Sequence, residues 1–265
     1  MNSITKKLKQ ELLSFDSIEE RLNVLKDKFK GKKAIIIATG PTLADHIDDL
    51  KLLHNRDDIV ILSVKQGYNY LKGQSDFHIT STYNFDKYKG YDYEDIDNTI
   101  IFYGLSKSYI PQQMAKLAIK PHTCDIWVPI VNPPFITYEE CIHMGNYDKM
   151  LLLRNTTEPQ GWWGTSILWE QAIPMALLLG CKDIVTLGWD ATTGEHVWDA
   201  LNKKVSFKVD SGTVGSDNDQ KLKDVLENAH CLYDFCKKEG INLNIISDKN
   251  QFDPRIPKLK SIKEI

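Results

Sequence analysis

The chain has 265 residues, of which 42% are hydrophobic and 26% are charged, and its formal net charge is −3 at pH 7. Those proportions are ordinary for a globular protein, and the negative net charge argues against general nucleic-acid binding. No stretch approaches the roughly 20 apolar residues of a membrane span, and the first residues carry no apolar signal core, so we expect a cytoplasmic protein. The five cysteines include no C-x-x-C pair, which fits a reducing compartment and argues against a zinc site.

Basic residues concentrate at the two ends of the chain. Residues 1–33 hold nine basic and five acidic side chains, and residues 253–265 hold four and two. Each cation near an anionic bilayer contributes about 1 kcal/mol of attraction. Both ends therefore suit peripheral contact with the inner membrane surface, and solvated ends are the alternative expectation.

The first elements along the chain are helical. Apolar residues recur at helical spacing over 3–14, and Ser17 with Glu20 fits a capping box at the start of a second helix. We therefore expect a helical N-terminal extension over residues 1–32.

After residue 32, strand patterns alternate with helical patterns. The expected strands are at 33–38, 58–64, 76–81, 99–103, 124–129, 149–154, 183–187 and 242–247. The expected helices are near 43–54, 66–72, 108–119, 165–180 and 218–239. This alternation predicts a Rossmann-like α/β domain over residues 33–250, with a mostly parallel sheet and helices on both faces. A basic tail, 251–265, follows it.

Two long irregular segments interrupt the alternation. Residues 120–157 mix prolines, aromatic and polar residues, and residues 191–219 are rich in Gly, Thr, Ser and Asp. Long irregular segments in a compact domain are often binding loops. We expect both to lie over the carboxyl edge of the sheet, where open α/β sheets bind ligands.

The turn after the first strand reads Thr39, Gly40, Pro41, Thr42. Glycine allows close backbone approach, and Thr42 with Asp45 fits a capping box, which predicts a helix from about residue 43. Free backbone N–H groups at such a helix start suit an anion. A capped turn without a ligand is the alternative.

Three further segments place polar groups next to strand or helix ends. They are Lys65 and Gln66 after the second strand, Gly164, Thr165 and Ser166 before an apolar helix, and Gly188, Trp189 and Asp190 after a later buried strand. A lysine and an amide suit a phosphate or a carboxylate. Hydroxyls at a helix start suit a ligand or an N-cap. An aspartate after a strand suits a ribose hydroxyl, a metal or a turn cap.

In order and spacing, these segments and the run from Ala176 to Val185 resemble bacterial CMP-sialic-acid-dependent sialyltransferases. They are also similar to motility-accessory-factor and 6-hydroxymethylpterin diphosphokinase-like domains. The resemblance covers residues 33–190 and implies a nucleotide-sugar site. It implies that Thr39–Thr42 hold the donor phosphate or nucleoside and that Lys65 and Gln66 lie near the donor sugar. It places the base or the sugar carboxylate at Thr165 and Ser166, and the ribose at Gly188–Asp190.

The same resemblance implies a transfer without a metal or another cofactor, in which hydroxyls stabilise the departing nucleotide and a histidine deprotonates the acceptor. The family's tyrosines are absent from residues 191–198, and its histidine is absent from residues 203–220. His196 becomes the candidate base, with Asp190 as the alternative. Three lysines are candidates to replace the tyrosines: Lys203, Lys204 and Lys208.

We therefore expect a glycosyltransferase that moves a sugar, such as a nonulosonic acid, from a nucleotide donor to a glycan or lipid-linked hydroxyl acceptor. A CMP-linked donor is favoured. A Mg²⁺-dependent diphosphokinase stays open, with Asp190, Glu195 and Asp199 as the available acids. A non-catalytic nucleotide-binding module is the third possibility. Trp162 and Trp163 suit either stacking on a sugar or a contact between copies of the chain.

Overall fold

The computed structural model describes residues 3–71, 73–80, 96–104, 124–128, 172–190, 196–201, 233–247 and 253–265. Within them, eight strands form one sheet in the order β5-β4-β3-β2-β1-β6-β7-β8. The strands are β1 (Lys33–Ile37), β2 (Ile59–Val64), β3 (Phe77–Thr80), β4 (Ile100–Gly104), β5 (Ile126–Val128), β6 (Asp183–Leu187), β7 (Asn242–Ile246) and β8 (Lys258–Leu259). Every neighbouring pair is parallel. The predicted Rossmann-like sheet is confirmed.

The winding direction of the sheet reverses between β1 and β6. Strands β1 to β5 follow one another toward one edge, and β6 to β8 follow one another toward the other. Ile37 at the end of β1 lies in register with Leu187 at the end of β6. The two loops that leave these strands therefore begin side by side at the carboxyl edge, at the switch point where open α/β sheets bind ligands.

Helices cover both faces of the sheet, as expected. They are α1 (Ser3–Leu13), α2 (Ile18–Leu25), α3 (Thr42–His46), α4 (Ile173–Leu178) and α5 (Val197–Ala200). Residues 233–238 are also helical. Shorter 3₁₀ turns span Ile47–Leu53, Lys65–Tyr70, Ile96–Asn98 and Ile262–Glu264. The predicted capping box is confirmed, because the N–H of Glu20 donates to Ser17 Oγ over 3.1 Å and the N–H of Ser17 donates to Glu20 Oε2 over 3.4 Å.

Two hydrophobic clusters hold the layers together. The first joins α1, α2 and α4 to one face of the sheet through side chains such as Leu12, Leu25 and Met175. The second joins α3 and α5 to the opposite face through Leu43 and Val197. Alternate residues of β1 enter alternate clusters, because successive side chains of a strand point to opposite faces. Full burial of each large apolar side chain contributes about 1.5–3 kcal/mol.

The N-terminal helix α1 is tied to the amino edge of the sheet by polar side chains. The hydroxyl of Thr5 donates to the carboxylate of Asp76, and that carboxylate also accepts the N–H of Ile61 over 2.9 Å. One turn later, Lys9 Nζ lies 3.1 Å from Asp125 Oδ2. Both acids are buried and immediately precede strands. The extension is therefore anchored to the sheet by specific contacts in addition to its apolar face.

The C-terminal segment 253–265 packs against the sheet, so the expectation of a solvated tail is wrong for these residues. Strand β8 pairs with β7, and Ile256 and Ile262 are 1% and 2% exposed. The Nζ of Lys33 donates to the carbonyl oxygen of Ile265 over 3.3 Å. Lysines dominate the sequence pattern here, but the isoleucines between them supply the apolar surface that docks.

Several sequence expectations fall outside the described residues. They include the strand at 149–154, the helix at 108–119, the first part of the helices at 165–180 and 218–239, and most of the two long irregular segments. Among the described residues, no helix has the length and apolar character needed to cross a bilayer.

Candidate functional site

The loops that follow β1 and β6 are bonded to each other at the switch point. The N–H of Ala38 donates to the carbonyl of Leu187 over 2.8 Å, and the N–H of Gly40 donates to the carbonyl of Gly188 over 2.7 Å. A Cβ atom at Gly40 would lie 2.6 Å from the carbonyl oxygen of Gly188 and would also meet the carboxylate of Asp190. Only glycine allows this approach, which explains the glycine of the predicted motif.

Asp190 caps helix α3 from the neighbouring loop. Its Oδ2 accepts the N–H of Thr42 over 2.8 Å. The predicted capping box of Thr42 with Asp45 is wrong, because Pro41 occupies the N-cap position and makes no side-chain cap, while Thr42 is the first helical residue. The hydroxyl of Thr42 instead lies 3.2 Å from Ser247 Oγ, just after β7.

Three N–H groups of this turn are already bonded to protein groups, so they are not free to bind an anion. Gly40 donates to Gly188, Thr42 donates to Asp190, and Leu43 donates to the carbonyl of Gly40 over 3.1 Å. Pro41 has no N–H to offer. A carboxylate of the protein thus occupies the position where a ligand anion was expected.

The second carboxylate oxygen of Asp190 has no such bond. Asp190 is only 3% exposed, and its Oδ1 has no hydrogen-bond partner among the described residues. A buried acceptor without a donor is costly and uncommon in folded proteins. Asp190 therefore keeps a buried acceptor at the switch point that no described residue satisfies.

His196 is brought to the same edge by the start of α5. The N–H of Val197 donates to the carbonyl of Thr39 over 2.9 Å, and the N–H of His196 donates to Asp199 Oδ2 over 2.9 Å. Burial is the largest cause that lowers the pKa of His196, and the charge of Lys65 lowers it further. The Asp199 carboxylate and a hydrogen bond to the carbonyl of Thr39 act in the opposite direction. The pKa of His196 is lowered overall, so the imidazole is neutral at pH 7.

Lys65 and Gln66 lie where β2 ends, and the backbone is strained there. Lys65 has a φ of +48°, in the left-handed region that costs a non-glycine residue about 1 kcal/mol. Lys65 is partly exposed and Gln66 is buried. A Cβ atom at Gly67 would lie 2.5 Å from the carbonyl oxygen of Ile37, so this turn packs tightly on β1. Strain of this kind clusters at functional sites.

The structure gathers the predicted residues of four separate segments at one edge. They are Thr39, Gly40, Pro41, Thr42, Lys65, Gln66, Gly188, Asp190 and His196. The expected ribose contact of Trp189 is corrected for its side chain, which packs in the first hydrophobic cluster and does not suit that contact. Gly164, Thr165 and Ser166 lie outside the described residues, as do Glu195 and Lys203, Lys204 and Lys208.

Two residues near this site were not predicted from the sequence. Ser247 follows β7, and the rule that polar residues after strand ends form sites would have included it. Trp198 stacks on His196, with ring centroids 4.5 Å apart. The sequence gives no signal for that contact, because an aromatic residue in a short helix is usually a core residue.

No model of a known protein family matches the chain, and no curated protein matches it either. Within the described ranges, no group of three or more His, Cys, Asp and Glu side chains is placed to hold a metal ion. The sheet topology shows a Rossmann-like fold, but a fold alone does not define a function. The function has to be inferred from the switch-point residues.

Proposed function

We propose that this chain is a glycosyltransferase that moves a sugar, such as a nonulosonic acid, from a nucleotide donor to a hydroxyl of a glycan or lipid-linked acceptor. The observation that carries the proposal is that two groups lie against the turn after β1, at the switch point of a parallel sheet. They are Asp190, whose Oδ1 has no hydrogen-bond partner among the described residues, and His196, whose pKa is lowered. Nucleotides bind at this position in open α/β sheets. A CMP-linked donor is favoured by the sequence resemblance.

In this proposal, Asp190 binds the donor and does not act as the base. Its Oδ2 is committed to the N–H of Thr42, and Oδ1 accepts a ribose or sugar hydroxyl. Lys65 meets a phosphate or carboxylate of the donor, because the N–H groups of Gly40, Thr42 and Leu43 are occupied. A hydrogen bond to a charged group contributes about 1.5–3 kcal/mol, so Asp190 carries a large share of donor affinity.

His196 acts as the general base of a direct displacement. The acceptor oxygen forms a bond to the anomeric carbon while the bond from that carbon to the donor phosphate oxygen breaks. The nucleotide leaves with the electron pair, and the hydroxyl proton passes to the imidazole of His196. The lowered pKa of His196 keeps the ring unprotonated at neutral pH. A general base contributes typically 10²–10⁴-fold.

The first test measures nucleotide binding by thermal shift. The ligands are CMP, CDP, UDP, GDP, ATP and their sugar conjugates, each with and without Mg²⁺. A ligand at 100 times its dissociation constant stabilises the folded state by about 2.7 kcal/mol. Asp190→Asn should weaken binding roughly 10- to 100-fold. Asp183→Asn is the matched control, because Asp183 begins the strand that Asp190 follows and lies at the opposite edge. It should leave binding unchanged.

Each outcome separates the candidate functions. Two results together support the transferase. CMP or CDP stabilises the fold without a metal, and the chain releases nucleotide from a CMP-linked sugar in a reaction that His196→Asn abolishes. A response to ATP only with Mg²⁺ favours the diphosphokinase. Binding without turnover, unaffected by His196→Asn, favours the non-catalytic module. No response to any nucleotide refutes a nucleotide site.

A further inference from the structure

We infer that Trp198 is a positioning residue that holds the imidazole of His196 in one orientation, together with the carbonyl of Thr39. This inference deepens the proposed function and rests on it. Its structural part, the fixed ring, can be tested without any substrate.

The stacked rings are the first part of the geometry. The centroids of the His196 and Trp198 rings are 4.5 Å apart and their planes are inclined by 30°. Trp198 is only 4% exposed and belongs to the second hydrophobic cluster, whereas His196 is partly exposed. The core therefore fixes the indole, and the indole covers one face of a ring that otherwise borders the site.

The carbonyl of Thr39 supplies the second constraint. It accepts the N–H of Val197 over 2.9 Å, and it lies beside the imidazole of His196, whose pKa it raises. A neutral imidazole carries its proton on one nitrogen. We infer that this N–H is directed at the carbonyl of Thr39, which puts the lone pair on the other nitrogen and makes the turn after β1 the group that sets the tautomer.

The same turn links the base to the donor site. Thr39 immediately precedes Gly40, whose N–H is bonded to Gly188, and Asp190 caps the following helix. Among the described residues, the charged groups that act on the ring are Lys65 from the end of β2 and Asp199 from α5. The turn after β1 thus fixes the orientation of His196 relative to the strand ends that bind the donor in our proposal. A misplacement of about 1 Å can cost a reaction up to 100-fold.

Nitrogen-15 NMR of the histidine rings tests the inference on the wild-type chain. We expect a single tautomer for His196, and a mixture of tautomers would overturn the inference. In Trp198→Leu we expect His196 to show mixed tautomers and a pKa closer to that of an exposed histidine. Trp198→Phe keeps an aromatic face and should restore both. Leu50→Ala, which opens the same cluster without touching the ring, should leave the tautomer unchanged.

Turnover then separates this inference from the proposed function. With the donor and acceptor that the chain uses, Trp198→Leu should lower kcat roughly 10- to 100-fold with little change in the KM of the donor. Trp198→Phe should recover most of the loss. If the chain shows no turnover but the ring is fixed by Trp198, the proposed function fails and the positioning stands. If Trp198→Leu keeps the tautomer and the pH profile, the positioning fails alone.

Discussion

Acidification from pH 7.5 to 5.0 should destabilise the folded chain by about 2 kcal/mol through His78 alone. His78 lies in β3, is 0% exposed, and stacks on Tyr68 with ring centroids 4.7 Å apart. Its neighbour in register on β2 is Ser63, whose hydroxyl donates to the carbonyl of Phe77. Burial lowers the pKa of His78 to about 3. The ring is therefore neutral in the folded state well below the usual range of histidine.

The sign and size follow from the two pKa values. An unfolded histidine has a pKa of about 6.5, so between pH 6.5 and pH 3 the unfolded state binds more protons than the folded state. The contribution of His78 is complete above pH 6.5 and is lost progressively as the pH falls toward 3. At pH 5.0 protonation favours the unfolded state by a factor of about 30, which is about 2 kcal/mol.

Urea denaturation at pH 7.5 and 5.0 measures this effect in the wild type and in His78→Phe. Phenylalanine keeps an aromatic ring against Tyr68 but has no proton to bind. The loss of stability on acidification should be about 2 kcal/mol smaller in the variant. Equal losses, within about 0.5 kcal/mol, would refute the reasoning. An NMR titration of the wild type gives a second check, because His78 should stay neutral at pH 5.0.

Three further substitutions and one control test the architecture, each by urea denaturation. Gly40→Ala should destabilise by about 2 kcal/mol, because its Cβ cannot fit beside the β6 loop; a neutral result would contradict the close packing of the two loops. Asp76→Ala should cost about 3 kcal/mol, because the N–H of Ile61 loses its acceptor, and a cost below about 1 kcal/mol would mean that the bond is dispensable. Ile262→Ala should cost about 2–3 kcal/mol while Lys260→Ala costs less than about 0.5, and equal costs would show that the C-terminal segment is not docked.

The sheet could be predicted from sequence because its strands are short apolar runs with clear ends. Residues 33–37 and 183–187 are almost entirely aliphatic or β-branched, which is typical of strands buried on both faces. Polar residues follow within three positions of each strand end, so the same pattern predicted the strand ends and the candidate site. Strand β8 was missed, because a two-residue strand between Pro257 and Lys260 carries no periodicity.

Local patterns failed where a distant group competes for the same donor. Thr42 and Asp45 have capping-box spacing, but the N–H of Thr42 is taken by Asp190, 148 residues later in the chain. The sequence cannot reveal this competition, because it depends on how β1 and β6 pair. The stack of Trp198 on His196 also cannot be predicted from the sequence, because it depends on the turn after β1, which places the ring.

The capping role of Asp190 has a consequence for how a nucleotide would be bound. A helix N-terminus attracts anions because its N–H groups are free. Here Asp190 supplies that anion from within the protein, and its negative charge at the turn would repel a phosphate placed there. The charge of a donor phosphate then has to be met by side chains such as Lys65, which acts as a point charge on a flexible stem. Lys65→Met should therefore weaken nucleotide binding, and binding that is insensitive to Lys65 would place the phosphate elsewhere.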